Sequence, residues 1–246
     1  MLFRSARLAR TQLELGGKNP AIVLDYGDLA HAARQIVSAA FTCSGQRCTA
    51  ISRVIVLRDK AEALKQELLA EMAKIKVGPA WDPEATMGPL INQAQLDTVL
   101  EYIRIGREEG ARLLMGGEVL RDGEYAEGCY VTPALFDRVT PDMRIAREEI
   151  FGPVLCVLEA EDAESALRMA NDSEYGLAAA VFTDRLADAV DFAERLQSGM
   201  VHINHGTASA VHAPFGGVKL SGYGPYSIGR SNLEFYTEMK VMYVQY

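Results

Sequence analysis

The fold is decided by the stretch that begins with Ala21-Ile22-Val23-Leu24, continues as a helical run from Asp28 to about Phe41, and ends with Arg53-Val54-Ile55-Val56-Leu57. This strand–helix–strand pattern recurs along the chain. Further β-rich runs lie near 111–115, 130–136, 154–158, 178–182 and 201–204, and most are separated by segments with helical spacing. Such alternation predicts an α/β fold with a mostly parallel sheet flanked by helices.

Local start signals refine this prediction. Asp59-x-x-Glu62 has the spacing of a helix capping box, and Asn92 with Gln95 is expected to open a second helix. A short helix is expected near residues 232–236. The chain then ends in the β run 241–246, whose open edge favours pairing with another chain.

Composition excludes several classes of protein. The chain has 246 residues, 49% of them hydrophobic, and a net charge of −8. No basic stripe appears, so nucleic acid and anionic membrane are poor partners. No apolar run reaches the roughly 20 residues that a membrane span requires. The four cysteines are irregularly spaced, which argues against a disulfide framework or zinc site and favours the reducing cytoplasm.

Two segments carry residues suited to covalent catalysis. Cys48 ends the run Gly45-Gln46-Arg47-Cys48, and Glu14 precedes the pair Gly16-Gly17. A thiolate attacks carbonyl carbon well when a base activates it, and glycines let the backbone approach a ligand closely. On these residues alone, a buried inert cysteine and a solvated turn glutamate remain alternatives.

Two later segments are rich in turn residues. The first is Glu148-Glu149-Ile150-Phe151-Gly152-Pro153, and the second is Pro214-Phe215-Gly216-Gly217-Val218-Lys219-Leu220-Ser221-Gly222. By themselves they indicate a turn entering a strand and an irregular loop. Neither nucleotide-binding glycine pattern, Gly-x-x-x-x-Gly-Lys-Ser/Thr or Gly-x-Gly-x-x-Gly after a strand, is present.

Taken together and in this order, the four segments resemble the aldehyde dehydrogenase superfamily over about residues 11–246. The resemblance implies that Cys48 is the nucleophile and that Glu14 activates the water that hydrolyses the thioester. It implies NAD or NADP as cofactor, with Glu149 accepting hydrogen bonds from the nicotinamide ribose and Phe151 packing near the nicotinamide ring. Gly16 would let the backbone approach the cofactor closely.

The resemblance also implies where an aldehyde would bind. His205 would line the substrate tunnel and Phe215 its wall. Arg47, next to the nucleophile, would face a carboxylate on a semialdehyde or would otherwise be a structural cation. His205 and His212 have no Asp, Glu or Cys at ligand spacing, so a metal site is not expected.

The resemblance further implies a division of the chain. Residues 1–13 would be a remnant of the cofactor-binding domain, 14–222 the catalytic domain, and 223–246 a C-terminal segment whose strand forms a homo-oligomer. The family's phosphate-binding loop and oxyanion-hole asparagine find no counterpart, and loss of an oxyanion donor lowers rates about 10²–10³-fold. Weak cofactor binding is therefore expected. Two alternatives stay open: a cofactor-independent cysteine thioesterase or esterase, and a non-catalytic oligomerising module.

Overall fold

The computed structural model describes residues 9–246 and has a seven-stranded sheet at its centre. The strands are β1 Leu13–Glu14, β2 Asn19–Val23, β3 Ile51–Leu57, β4 Arg112–Met115, β5 Val119–Leu120, β6 Tyr130–Val131, β7 Ala134–Asp137, β8 Val154–Ala160, β9 Tyr175–Gly176, β10 Ala178–Phe182, β11 Met200–Ile203, β12 Val218–Lys219 and β13 Gly222–Tyr223. The helices are α1 Leu29–Phe41, α2 Arg58–Met72, α3 Gln93–Glu108, α4 Arg144–Arg147, α5 Ala163–Asn171, α6 Leu186–Arg195 and α7 Arg230–Tyr236.

The central sheet has the strand order β11-β10-β2-β3-β8-β7-β4. Every neighbouring pair is parallel except β4 with β7, which is antiparallel. The predicted α/β fold with a mostly parallel sheet is therefore confirmed. Pro20 lies in the central strand β2, where a register shift between Asn19 and Pro20 accommodates the missing N–H.

Helices cover both faces of this sheet. Ala21 and Val23 of β2 pack with α1 and α2, whereas Ile22 packs on the opposite face in the core that contains buried residues of α3, α5 and α6. Strands buried on both faces are continuous apolar runs, as observed in β2, β3 and β10.

Helix starts agree with the sequence prediction at one position and differ at another. Asn92 caps α3, since its side chain accepts a hydrogen bond from the Gln95 N–H at 2.9 Å. The predicted Asp59–Glu62 capping box is wrong, because the chain passes directly from β3 into α2 with Leu57 as the cap residue and no side-chain cap bond. Glu62 instead pairs with Lys65 at 3.0 Å.

The strand predicted over 130–136 is two strands in different sheets. Pro133 separates β6, which pairs with β5, from β7, which pairs with β4 and β8. Proline has no backbone N–H to continue a ladder, which explains the break. A prediction from apolar content alone could not divide this run.

Beyond α7, residues 237–246 form no helix or strand within the single chain, and they are exposed. The predicted C-terminal oligomerisation strand remains a prediction, because a β segment of this kind needs a second chain to pair with. Residues 1–8 of the predicted 1–13 remnant lie outside the described residues. Within 9–246, no helix is both long and apolar enough to cross a membrane.

Candidate active site

Three of the predicted site segments directly precede three neighbouring strands. Residues 14–18 lead into β2, residues 42–50 into β3, and residues 149–153 into β8. Because β2, β3 and β8 are adjacent and parallel, their amino ends share one edge of the sheet. The topology therefore brings Glu14, Cys48 and Glu149 to that edge.

The Cys48 loop (residues 42–50) has an unusual backbone. Cys43, Ser44 and Gly45 are consecutive residues with φ of 56°, 59° and 70°. Left-handed non-glycine residues are strained and persist when surrounding contacts fix them. Here the Ser44 hydroxyl donates to the Gly88 carbonyl at 2.8 Å, and the Gln46 side chain accepts from the Ile91 N–H at 3.0 Å.

The side chain of Asn19 fixes the backbone of Cys48 itself. Its Nδ2 donates to the carbonyls of Cys48 at 2.7 Å and Ala50 at 2.9 Å, and its Oδ1 accepts from the Ala178 N–H at 3.0 Å. On the same loop, the buried Thr207 hydroxyl donates to the Thr49 carbonyl at 2.5 Å. The nucleophile candidate is therefore held from both β2 and the segment after β11.

The Cys48 thiol is half-buried. Burial raises its pKa, and the nearby negative charges of Glu149 and Glu14 raise it further, while backbone hydrogen bonds oppose the shift. The resting side chain is consequently a thiol rather than a thiolate at neutral pH. A base or a nearby positive charge must assist its ionisation.

Glu14 lies on β1, the exposed two-residue strand that pairs with β13. Its Oε1 accepts a hydrogen bond from Gln12 Nε2 at 3.2 Å. Its charge reaches Cys48, since it contributes to the raised pKa of that thiol. The carboxylate is accessible to water, as a residue that activates water for hydrolysis must be.

Glu149 is seated on the glycine pair of the first segment. Its Oε1 accepts from the Gly17 N–H at 3.0 Å. A Cβ at position 16 would lie 2.0 Å from Glu149 Oε2, so only glycine at 16 permits this seat. Burial raises the pKa of Glu149, while the Gly17 N–H and the Lys18 ammonium act in the opposite direction.

The Glu149 loop (residues 149–153) also presents Phe151, which is 42% exposed and has φ of 56°. Gln95 Nε2 holds this strained turn by donating to the carbonyls of Ile150 at 2.9 Å and Phe151 at 3.0 Å. The Glu149 carboxylate can accept further hydrogen bonds besides the one from Gly17, so it suits the two hydroxyls of a ribose. The exposed ring of Phe151 suits packing against a flat ring. These residues therefore suit the nicotinamide riboside portion of the predicted cofactor.

The two loops contact each other directly. A Cβ on Gly45 would lie 2.4 Å from the Gly152 carbonyl oxygen, so the loops pack backbone to backbone. Gly17, Arg47, Glu149 and Phe151 line the narrow cleft between them. The geometry thus brings the predicted nucleophile segment and the predicted cofactor residues into one site.

Arg47 is engaged with backbone groups. Its Nη2 donates to the Ala39 carbonyl at 2.6 Å and its Nε to the Thr42 carbonyl at 3.3 Å. These carbonyls lie at the C-terminal end of α1, where carbonyls lack helical partners. This placement accords with the structural-cation alternative, and the carboxylate-binding role remains a prediction.

His205 and Phe215 line a cavity of about 360 Å³ beside β11. His202 also lines it and stacks edge-on against His205, with ring centroids 4.9 Å apart. Burial lowers the pKa of His202 to about 4, so its imidazole is neutral at physiological pH. Cys48 does not line this cavity, and Thr207, whose hydroxyl bonds to the Cys48 loop, lies in the chain between the lining residues His205 and Ala208.

The structural roles of four residues at the site escaped the sequence prediction: Lys18, Asn19, Gln95 and Thr207. Asn19 and Thr207 act through side chains on distant backbone groups, and no local pattern marks such partners. Gln95 was identified only as part of a helix start. Within residues 9–246, no three His, Cys, Asp or Glu side chains converge as metal ligands would.

Comparison with known proteins identifies the fold's relatives. The family model described as "Aldehyde dehydrogenase family" matches residues 2–242. Alpha-ketoglutaric semialdehyde dehydrogenase of Bacillus subtilis (strain 168) is 44% identical over 98% of this chain and 49% of its own length. Betaine aldehyde dehydrogenase of Cereibacter sphaeroides is 45% identical over 94% of this chain and 47% of its own.

A solved structure gives the same result. Indole-3-acetaldehyde dehydrogenase in complex with NAD⁺ superposes with a TM-score of 0.92 and 40% identity, covering 98% of this chain and 48% of that one. The chain therefore spans about half the length of the relatives it matches.

Proposed function

Because this chain belongs to the aldehyde dehydrogenase family, we propose that it is the catalytic half of an NAD- or NADP-dependent enzyme that oxidises an aldehyde to a carboxylic acid. The observation that supports this proposal most is the convergence of Cys48, Glu14 and Glu149 at one sheet edge. Each comes from a segment that matches the family in sequence. The Cys48 loop is held by hydrogen bonds that leave its sulfur half-exposed.

In the proposed reaction, Cys48 acts first. Its sulfur bonds to the aldehyde carbon as the carbon–oxygen π bond opens and the thiol proton passes to that oxygen, which gives a tetrahedral thiohemiacetal on the enzyme. The nicotinamide group, when bound, supplies the acceptor for the hydride. Loss of the hydride from carbon and of the hydroxyl proton to water leaves an acyl thioester on Cys48.

Glu14 acts second. Its carboxylate takes a proton from a water molecule as the water oxygen attacks the thioester carbon. The carbon–sulfur bond then breaks, which releases the carboxylic acid and restores Cys48. The solvent-exposed position of Glu14 supports this role better than direct activation of the thiol.

Glu149, Phe151 and Gly16 would hold the nicotinamide riboside. Glu149 would accept hydrogen bonds from the ribose hydroxyls, Phe151 would border the ring, and the missing side chain of Gly16 leaves room for the carboxylate. NAD⁺ is the first cofactor to test, since the solved relative named above contains it. The names of the two sequence relatives support a small polar aldehyde as substrate, with Arg47, His205 and Phe215 nearest to it.

We further propose that residues 14–222 form the catalytic domain and that 223–246 assemble with a second copy through a C-terminal strand. Exposed apolar side chains at Val241, Met242, Tyr243 and Val244 support this assembly. A reducing compartment such as the cytoplasm would keep Cys48 as a thiol.

The test follows reduced nicotinamide by absorbance after mixing the chain with NAD⁺ and either a semialdehyde or betaine aldehyde. An activated ester without cofactor is tested in parallel, and Cys48→Ala is compared with the matched variant Cys43→Ala. Reduction that needs Cys48 but not Cys43 supports the proposal. Ester cleavage alone would favour the esterase, and inactivity of a folded dimer would favour the non-catalytic module.

A further inference from the structure

The side chain of Lys18 is buried and its charge is not paired directly. It is 2% exposed, and its Nζ makes no hydrogen bond with any residue that the structure describes. A buried ammonium without a partner is costly, and each such group in a folded protein calls for an explanation. Lys18 also follows Gly17, whose N–H binds Glu149.

Four ionisable groups surround Lys18: Arg53 on β3, Cys156 on β8, and Glu148 and Glu149 before β8. Arg53 is itself a cation and is bonded to the carbonyls of Lys18, Met169 and Ala170. Burial raises the pKa of Cys156 to about 11, so its thiol is neutral at physiological pH. The anionic groups facing Lys18 are therefore the two glutamates.

The two glutamates differ in their other partners. Glu148 accepts from Arg144 Nε and Nη2 at 2.8 and 2.9 Å and from the Tyr102 hydroxyl at 2.6 Å. These bonds hold the pKa of Glu148 below its usual value. Glu149 has a single described hydrogen bond, from the Gly17 N–H. Lys18 is thus the principal positive charge for Glu149, whereas Glu148 is already neutralised by Arg144.

We propose that Lys18 is a positioning residue for Glu149, whose buried ammonium keeps the Glu149 carboxylate ionised and seated against Gly16 and Gly17. This inference rests on the proposed function, in which Glu149 receives the ribose hydroxyls. Only the ionised carboxylate offers both oxygens as acceptors, so the effect of Lys18 on ligand binding would pass through Glu149.

The proposal has a pH consequence. Burial lowers the pKa of Lys18 to about 8, whereas the unfolded value is 10.5. Between these values the unfolded chain binds the extra proton, so native stability rises with pH through this window. Above about pH 8 Lys18 loses its charge, and Glu149 loses the cation that favours its ionised form.

The first experiment measures the coupling without reference to activity. Chains carrying ¹³C-labelled lysine and glutamate are titrated by NMR, with Lys18 assigned through Lys18→Met and Glu149 through Glu149→Gln. In wild type, Lys18 is expected to titrate near pH 8. In Lys18→Met, the Glu149 midpoint should rise by about one pH unit or more, since a close opposite charge shifts a carboxyl group by about 1–3 units.

The matched control is Glu148→Gln. Glu149→Gln should lower the Lys18 midpoint, and Glu148→Gln should lower it less, because Glu148 is already paired with Arg144. These two variants leave Lys18 in place, so the comparison stands even if Lys18→Met does not fold. Lys18→Arg restores the charge and should return the Glu149 midpoint towards the wild-type value.

A Lys18 midpoint near 10.5, or equal effects of Glu148→Gln and Glu149→Gln, would overturn the inference. NAD⁺ binding, followed by saturation-transfer NMR at pH 7, tests the proposed function separately. Weaker binding in Lys18→Met with recovery in Lys18→Arg supports the positioning role. Measurable coupling in a wild-type chain that takes up no NAD⁺ would support the Lys18–Glu149 link and count against the proposed function of this chain on its own.

Discussion

Replacing Asn19 by alanine should loosen the attachment of Cys48 to the sheet. The Asn19 side chain is 2% exposed and makes hydrogen bonds to Cys48, Ala50 and Ala178. Each net hydrogen bond contributes about 1 kcal/mol, so the three together contribute about 3 kcal/mol. The bonds to Ala50 and Ala178 are buried, so the substitution leaves their backbone groups without a partner away from solvent, and we expect the loss to be close to this sum.

The expected result is a clear fall in melting temperature. For a chain of this size 1 kcal/mol corresponds to roughly 2–4 °C, so Asn19→Ala should melt roughly 6–12 °C below wild type. Burial is what raises the pKa of Cys48, so the loosened loop should also make its thiol more reactive. Peptide mass spectrometry after brief iodoacetamide treatment separates alkylation of Cys48 from that of the exposed Cys43.

The matched control is Asn171→Ala. Asn171 also bonds two backbone groups through its side chain, the Arg195 carbonyl at 3.0 Å and the Gln197 N–H at 2.8 Å, but it is accessible to water. Water can replace those bonds, so the expected loss is below about 1 kcal/mol. Equal losses in the two variants, or unchanged Cys48 alkylation in Asn19→Ala, would refute the reasoning.

Three further predictions concern the Cys48 loop and the two carboxylates near it. Gly45→Ala should lower the melting temperature by much more than Gly123→Ala does. Both glycines have a positive φ, which costs an alanine about 1–2 kcal/mol, but only at Gly45 would the new Cβ clash with a carbonyl oxygen. Glu14→Gln and Glu149→Gln should each speed iodoacetamide alkylation of Cys48 at pH 8, because both carboxylates raise the thiol pKa; slower alkylation in Glu14→Gln would instead indicate that Glu14 deprotonates the thiol. Arg47→Ala should lower thermal stability by removing two bonds to carbonyls at the end of α1, and Arg47→Lys should recover only part because lysine lacks the planar donor fork; full activity of Arg47→Ala on a semialdehyde would contradict a substrate role.

The elements were predictable because their periodic patterns are local. The run 178–182 was predicted as a strand and is observed as β10, and the helical run predicted to begin at Asp28 is observed as α1, with Asp28 as its cap residue. Predictions failed where a tertiary contact or a single backbone group decides the outcome. Pro133 divides an apolar run, and Leu57 carries the chain from strand to helix without a polar cap.

The identities of the main site residues were predictable from the sequence, but their arrangement in space was not. Resemblance to a family selected Cys48, Glu14 and Glu149, yet the seat of Glu149 on Gly16 joins residues 133 positions apart and depends on the strand order β2-β3-β8. Periodicity specifies strands without specifying their order. Lys18 and Asn19 directly follow the Gly16-Gly17 pair in the sequence, but only burial distinguishes them from surface polar residues.

The fold class alone does not predict where on the sheet this site lies. In open α/β sheets, ligands usually bind beyond the carboxyl ends of the strands. Here Glu14, Cys48 and Glu149 all precede their strands, so the site lies at the amino ends of β2, β3 and β8. Fold class alone would have directed the search to the loops after β2 and β10, where Asp184 instead accepts a hydrogen bond from the Gly27 N–H at 2.7 Å. The sheet does not determine at which end of its strands a ligand binds, so the side chains there must determine it. The buried positive charge of Lys18 favours the Glu149 carboxylate at the amino ends of these strands.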